Sequence, residues 1–195
     1  MRTEMRIELD GKLVAMTGVV TRVTEALGEA LSANGATVAR DHTELPDILI
    51  VALPLIPDGG FDWSELHAQA RETGLAMKAR GSGRIVFLMS AMAAIPMRRH
   101  PDYSVEMAAV LAALRGLAMS LAPEVVVNGI GAGTIGDPAC AGDTVMIGHT
   151  PIGRAGTIDD ICNAALFLCD PLNSYLNGQL LPVDGGWSVG YGRSF

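Results

Sequence analysis

Cysteine, aromatic side chains and clustered positive charge are all scarce in this chain of 195 residues. The three cysteines are Cys140, Cys162 and Cys169, with no CxxC pair among them. An odd count without metal-ligand spacing excludes a disulfide framework and a zinc site, and is the usage of reduced, buried thiols. Aromatics are 5% of the residues, so aliphatic and small side chains must fill the core. The net charge is −7 with no basic block, which excludes nucleic acid as an expected partner. No uninterrupted apolar run reaches the ~18 residues of a membrane span. The opening segment, MRTEMRIELDGK, is charged throughout and has no signal-peptide core. The expectation is a cytoplasmic protein, without a membrane partner, forming a single domain over residues 1–195.

Apolar residues, by contrast, make up 49% of the chain. At this length some of that surface is expected to be covered by another subunit. LVAMTG (13–18), ATVAR (36–40), DILIVALP (47–54), GRIVFLMS (83–90), VVVNGIGAG (125–133) and GQLLPVDGG (178–186) read as buried strands. Helical spacing occupies 23–35, closed by Asn34-Gly35, and then 62–80, 102–121 and 158–169. Strands alternating with helices predict an α/β fold with a parallel sheet covered on both faces. The long helix, VEMAAVLAALRGLAMSLA, is apolar on several sides and is expected to be buried on more than one.

Several of these segments, in this order, resemble the short-chain dehydrogenase/reductase family. GKLVAMTG resembles its first strand and the Thr-Gly start of its cofactor loop. GRIVFLMS ends at Ser90, placed like the family's catalytic serine, and Tyr103 follows thirteen residues later, the usual separation. VVVNGIGAGTI is similar to the family's VN-x-I-x-PG-x-I, and TPIGRAGTIDDICNAALFLCDPLNSYLNGQLLPVDGGWS resembles its C-terminal third. The resemblance implies a Rossmann-like, doubly wound parallel sheet, with part of the first, adenine-side half deleted.

The departures from the family pattern fall on its chemistry. Four residues after Tyr103, where the family carries lysine, stands Met107. A free phenol ionises near pH ~10, and an adjacent ammonium is what favours the phenolate. A thioether has no charge with which to do this. The family's TG-x-x-x-G-x-G reads Thr17, Gly18, Val19, Val20, Thr21, Arg22, Val23, Thr24, so Arg22 and Thr24 replace glycines. Those glycines let backbone amides at a helix start approach a pyrophosphate. Arg22 is expected to fill or cover the vacated space, although an arginine also has the chemistry to bind an anion. ATVAR runs through DHTELP directly into DILIV, where the family places a further helix and strand. Asp41, just past the second strand, sits where an acid would grip a ribose, and with the pocket shortened reads as a turn residue. Ala52-Leu53-Pro54-Leu55 replaces the family's Asn-Asn-Ala-Gly, and the helix at 62–80 has no asparagine.

The resemblance therefore implies a chain that binds no cofactor itself and no metal, with Ser90 and Tyr103 as inherited structural residues, the Tyr103 hydroxyl reaching Ser90. It also implies a partner. In the family, the long helix, the helix before it and the last strand build subunit interfaces, and mixed assemblies with a nucleotide-free subunit occur. The leading expectation is a non-catalytic subunit of a hetero-oligomer, a tetramer, with a full-length catalytic relative. That relative would bind NAD(P) and act on a hydroxy or keto substrate, such as a hydroxyacyl thioester or steroid. Trp187, Tyr191 and Phe195 on the Gly-rich tail are candidate interface anchors. Two alternatives remain. One is non-redox chemistry by Ser90 and Tyr103, resembling halohydrin dehalogenases, with Arg98, Arg99 or His100 supplying charge. The other is a small-molecule binding module.

Overall fold

In the computed structural model, which describes residues 7–39, 44–57, 62–136 and 147–189, six strands form one parallel sheet. In chain order the elements are β1 (Leu13–Gly18), α1 (Arg22–Ala33), β2 (Thr37–Ala39), β3 (Ile48–Ala52), α2 (Ser64–Arg80) and β4 (Gly83–Ser90). A 3₁₀ turn (Ala91–Ala93), α3 (Pro101–Leu121), β5 (Val125–Ala132), α4 (Ile158–Cys169) and β6 (Leu180–Val183) follow. The strand order is β2-β1-β3-β4-β5-β6. The chain thus steps from β1 to one side for β2 and to the other for β3. That reversal opens a crevice at the C-terminal ends of β1 and β3, where open α/β sheets bind ligands. This is the Rossmann-like, doubly wound α/β fold expected from the sequence.

The period of two along each strand decides which helix covers which face. Leu49 and Val51 of β3, with Ile85, Phe87 and Met89 of β4, pack on the side of α2 and α3. Ile48, Ile50, Val86 and Leu88 pack on the opposite side with α1 and α4. Residues 40–47 connect β2 to β3, and residues 40–43, including Asp41, lie outside the described residues. Among the described residues no strand lies beyond β2. The last strand is shorter than the sequence reading, because Gly178, Gly185 and Gly186 all take positive φ and turn the chain at both ends.

Within the chain, α3 buries Tyr103, Met107, Val110, Leu114, Leu117 and Leu121 against the sheet side and exposes Val105 by 68% and Met119 by 83%. By length and mean hydropathy this helix also qualifies for crossing a membrane, although Glu106 and Arg115 interrupt the run. One expectation needs correction. Trp187 is buried within its own chain at 6% exposure, so it is not an exposed tail anchor. Tyr191 and Phe195 lie outside the described residues.

Candidate active site

Ser90 closes β4, Tyr103 lies in the first turn of α3, and Pro54 follows β3 by two residues. Ser90 is buried, and its Oγ accepts the Met92 amide at 3.3 Å, capping the 3₁₀ turn. Tyr103 is also buried, and its hydroxyl donates to the Pro54 carbonyl at 2.5 Å. A phenol has one proton to give. The donation expected toward Ser90 goes to the loop after β3 instead, because Pro54 presents a backbone oxygen there. Met107 stands one turn along α3 at 0% exposure, inside the cluster formed with β3, β4, α2 and β5. The position that would hold an ammonium is thus filled by core packing. Beside it, the Ser104 hydroxyl donates to the His100 carbonyl at 2.7 Å and accepts the Met97 amide at 3.0 Å, pinning the loop before α3. Arg98 and Arg99 on that loop are exposed and His100 is half-buried, the placement of a solvated face.

The cofactor side of the crevice is built by β1, α1 and β2. Gly18 takes φ +100°, and a Cβ there would collide with the Ala52 carbonyl oxygen, so glycine is required for the turn out of β1. The Val19 amide binds that same carbonyl at 3.0 Å. Thr21 then caps α1 in a reciprocal box with Thr24. The Thr24 amide donates to Thr21 Oγ1 at 3.3 Å, and the Thr24 hydroxyl accepts the Thr21 amide at 2.8 Å while donating to the Thr21 carbonyl at 2.9 Å. The Thr17 hydroxyl is donated to Gln69 Oε1 on α2 at 2.7 Å. Arg22 is the first residue of α1 and is exposed.

An open cleft of about 750 Å³ runs along this edge, lined by Thr17, Val20, Thr24, Glu25, Glu29 and Val38 among others. The fold family implies a dinucleotide here, and these residues do not fit its pyrophosphate. The Thr24 amide, which a phosphate would use, is already bonded to the cap. The described lining includes two carboxylates, Glu25 and Glu29, and no cation. Like charge at close range opposes a phosphate. Among the described residues, no three metal-ligating side chains converge.

Comparison with known proteins places the chain. Residues 65–188 match the family model described as enoyl-(acyl carrier protein) reductase. Galactitol 2-dehydrogenase (L-tagatose-forming) of Cereibacter sphaeroides is 30% identical over 189 residues, covering 90% of this chain and 72% of that one. The chain belongs to the short-chain dehydrogenase/reductase family. The 7alpha-hydroxysteroid dehydrogenase of Escherichia coli is 37% identical over 117 residues, 56% of this chain, and the match spans only 46% of that protein's length. Among solved structures, a gluconate 5-dehydrogenase from Burkholderia cenocepacia in complex with NADP and tartrate superposes with TM-score 0.78 at 22% identity. It covers 95% of this chain and 98% of that one, a likeness of fold alone. The segment matching the family model begins in α2, and both replaced glycine positions and the shortened β2–β3 connection precede it.

Sequence reading located Ser90, Tyr103, Met107, Thr17, Gly18, Arg22 and Thr24, and the fold gathers them at the C-terminal end of the sheet. It missed Pro54 as the acceptor for Tyr103, Gln69 as the acceptor for Thr17, and Glu25 and Glu29 as cleft residues. The carboxylates had a readable signal, since positions 25 and 29 share a helix face with the cofactor loop. A backbone carbonyl has none.

Proposed function

We propose that this chain is a non-catalytic subunit of a dehydrogenase assembly, paired with a full-length relative that binds NAD(P) and acts on a hydroxy or keto substrate. The observation carrying this reading is Met107, buried at 0% exposure where Tyr103 would need an ammonium. The capped loop at Thr21 and Thr24 and the carboxylate-lined cleft support the absence of a hydride carrier in this chain. The relatives support the substrate class, since those named above are dehydrogenases of a sugar alcohol and a hydroxysteroid. A surface for the partner is offered around the end of α4, where Phe167 is 48%, Leu172 57% and Tyr175 103% exposed. Such an assembly would work in the cytoplasm, where nicotinamide cofactors circulate.

The test is co-expression of the tagged chain with a full-length family member encoded beside it. Expected are a co-purified complex, and NAD(P)H turnover by the complex but not by this chain alone. Turnover of NAD(P)H by the lone chain, or failure to co-purify with any dehydrogenase, sinks the proposal.

A further inference from the structure

The cleft along α1 has two unlike walls. One is the side of α1 that carries Thr24, Glu25, Gly28, Glu29 and Ser32. Steps of three and four return to the same side of a helix, and the stretch from Thr24 to Ser32 spans about 12 Å. The other wall is apolar, with Met16 of β1 and Val38 of β2 each only partly buried. Among the described residues β2 is the edge of the sheet, so no further strand covers this side. A volume of about 750 Å³ falls within the range of small-molecule sites.

Gly28 keeps the two walls apart. Glycine is the poorest helix former after proline, so its place inside α1 needs a reason. A Cβ there would meet the Met16 sulfur at 3.7 Å and a Val38 methyl at 3.9 Å, both ordinary contacts. The packing of the chain therefore tolerates a methyl group at this position. A larger side chain would fill the cleft itself.

Charge selects the occupant. Glu25 and Glu29 stand one turn apart and are exposed along the cleft. Among the described residues neither carboxylate has an ion-pair partner. The Thr17 hydroxyl and the Thr24 amide, donors that an anion would use, are already given within the chain. Arg22 is exposed at the start of α1 and is not part of the lining. Side chains one turn apart on a helix have Cβ atoms about 5–6 Å apart. Two carboxylates so placed match two ammonium groups joined by a short methylene chain, and the methylenes find apolar surface to cover on the opposite wall. A bare metal ion would leave that wall unused, and no three metal-ligating side chains converge among the described residues.

We infer that the cleft between α1 and β2 binds a straight-chain aliphatic diamine or polyamine, its ammonium groups on Glu25 and Glu29 and its methylenes on Met16 and Val38. This goes beyond the proposed subunit role and does not rest on it, since the surface offered to a partner lies at the end of α4. Calorimetric titration of the full chain with cadaverine at low salt should show one site, with a Kd of about a millimolar or tighter, the range open to so small a ligand. Pentanediol, its uncharged counterpart, should not bind. The Glu25→Gln/Glu29→Gln chain should bind cadaverine roughly tenfold more weakly. Glu65→Gln/Glu72→Gln removes the same charge from exposed positions on α2 and should leave the affinity unchanged. Gly28→Leu should abolish binding while keeping its far-UV circular dichroism. Cadaverine that does not bind, pentanediol that binds as well, or equal affinity in the two double variants overturns the inference. Absence of amine binding would leave the proposed function to its own test, and failure to co-purify with a dehydrogenase would leave this site standing.

Discussion

The Tyr103 hydroxyl donates its proton to the backbone carbonyl of Pro54. A carbonyl only accepts, so the hydroxyl acts as a structural tie between α3 and the loop after β3. Met107, one turn further, adds apolar packing and no charge.

Tyr103→Phe removes that tie and leaves the Pro54 carbonyl to find another donor. The loss should be about 1 kcal/mol of stability, the usual worth of one such hydrogen bond. Urea denaturation of the two proteins measures it, and any catalytic readout of the chain alone should be unmoved.

Met107→Lys restores the family's residue but places an ammonium in a fully buried position. Stability should fall by roughly 3 kcal/mol or more, as for an unpaired buried charge. On the proposed function no NAD(P)H oxidation should appear, because Arg22 and Thr24 still stand where the family's first loop carries glycines. A variant that folds with native stability and turns over cofactor contradicts the assignment of Met107 to the core.

Thr21→Ala removes the side-chain half of the box that starts α1 and should cost about 1 kcal/mol. Exchange of the first-turn amides of α1 should speed up alongside the loss seen in denaturant. Unchanged protection would mean that the box does not hold these amides.

Burial pushes the Cys169 thiol up to about 12, against a smaller opposing pull from Arg84, and burial also raises Cys162. At pH 8 neither should react with iodoacetamide in the native protein, and both should react in urea. The linkage has a definite sign. Cys169 stays protonated when folded but ionises when unfolded above its ordinary 9.0. Its contribution is therefore whole below that pH and is lost as pH rises toward 12.

Asp160 behaves in the opposite sense. The hydrogen bond from Arg154, then that from the Thr157 amide, holds its carboxyl down to about 2. Its contribution is whole above the ordinary 3.8 and is lost as pH falls through 2. Asp160→Asn keeps the cap's acceptor but removes the charge, so the acid limb of a stability-versus-pH curve should flatten between those values.

Much of the architecture was legible because its signals are local. The continuous apolar runs at 48–52 and 83–90 fall on strands, and the helical spacing at 158–169 falls on α4 with a Thr157 cap. Boundaries slipped where glycine turns cut a run short, as at β6. The replaced lysine and glycines were legible as substitutions at fixed spacing. Their consequences were not, since Pro54, Gln69 and Trp187 acquire their surroundings from segments far apart in the chain.

Residue identity alone settled that no ammonium stands one turn past Tyr103 and that side chains occupy the glycine positions of the first loop, because both are matters of covalent order. Only the folded chain decided where the Tyr103 proton goes, which side of α3 remains uncovered, and that Glu25 and Glu29 face the cleft. Those depend on how separate strands and helices meet in space, and packing many residues apart sets them.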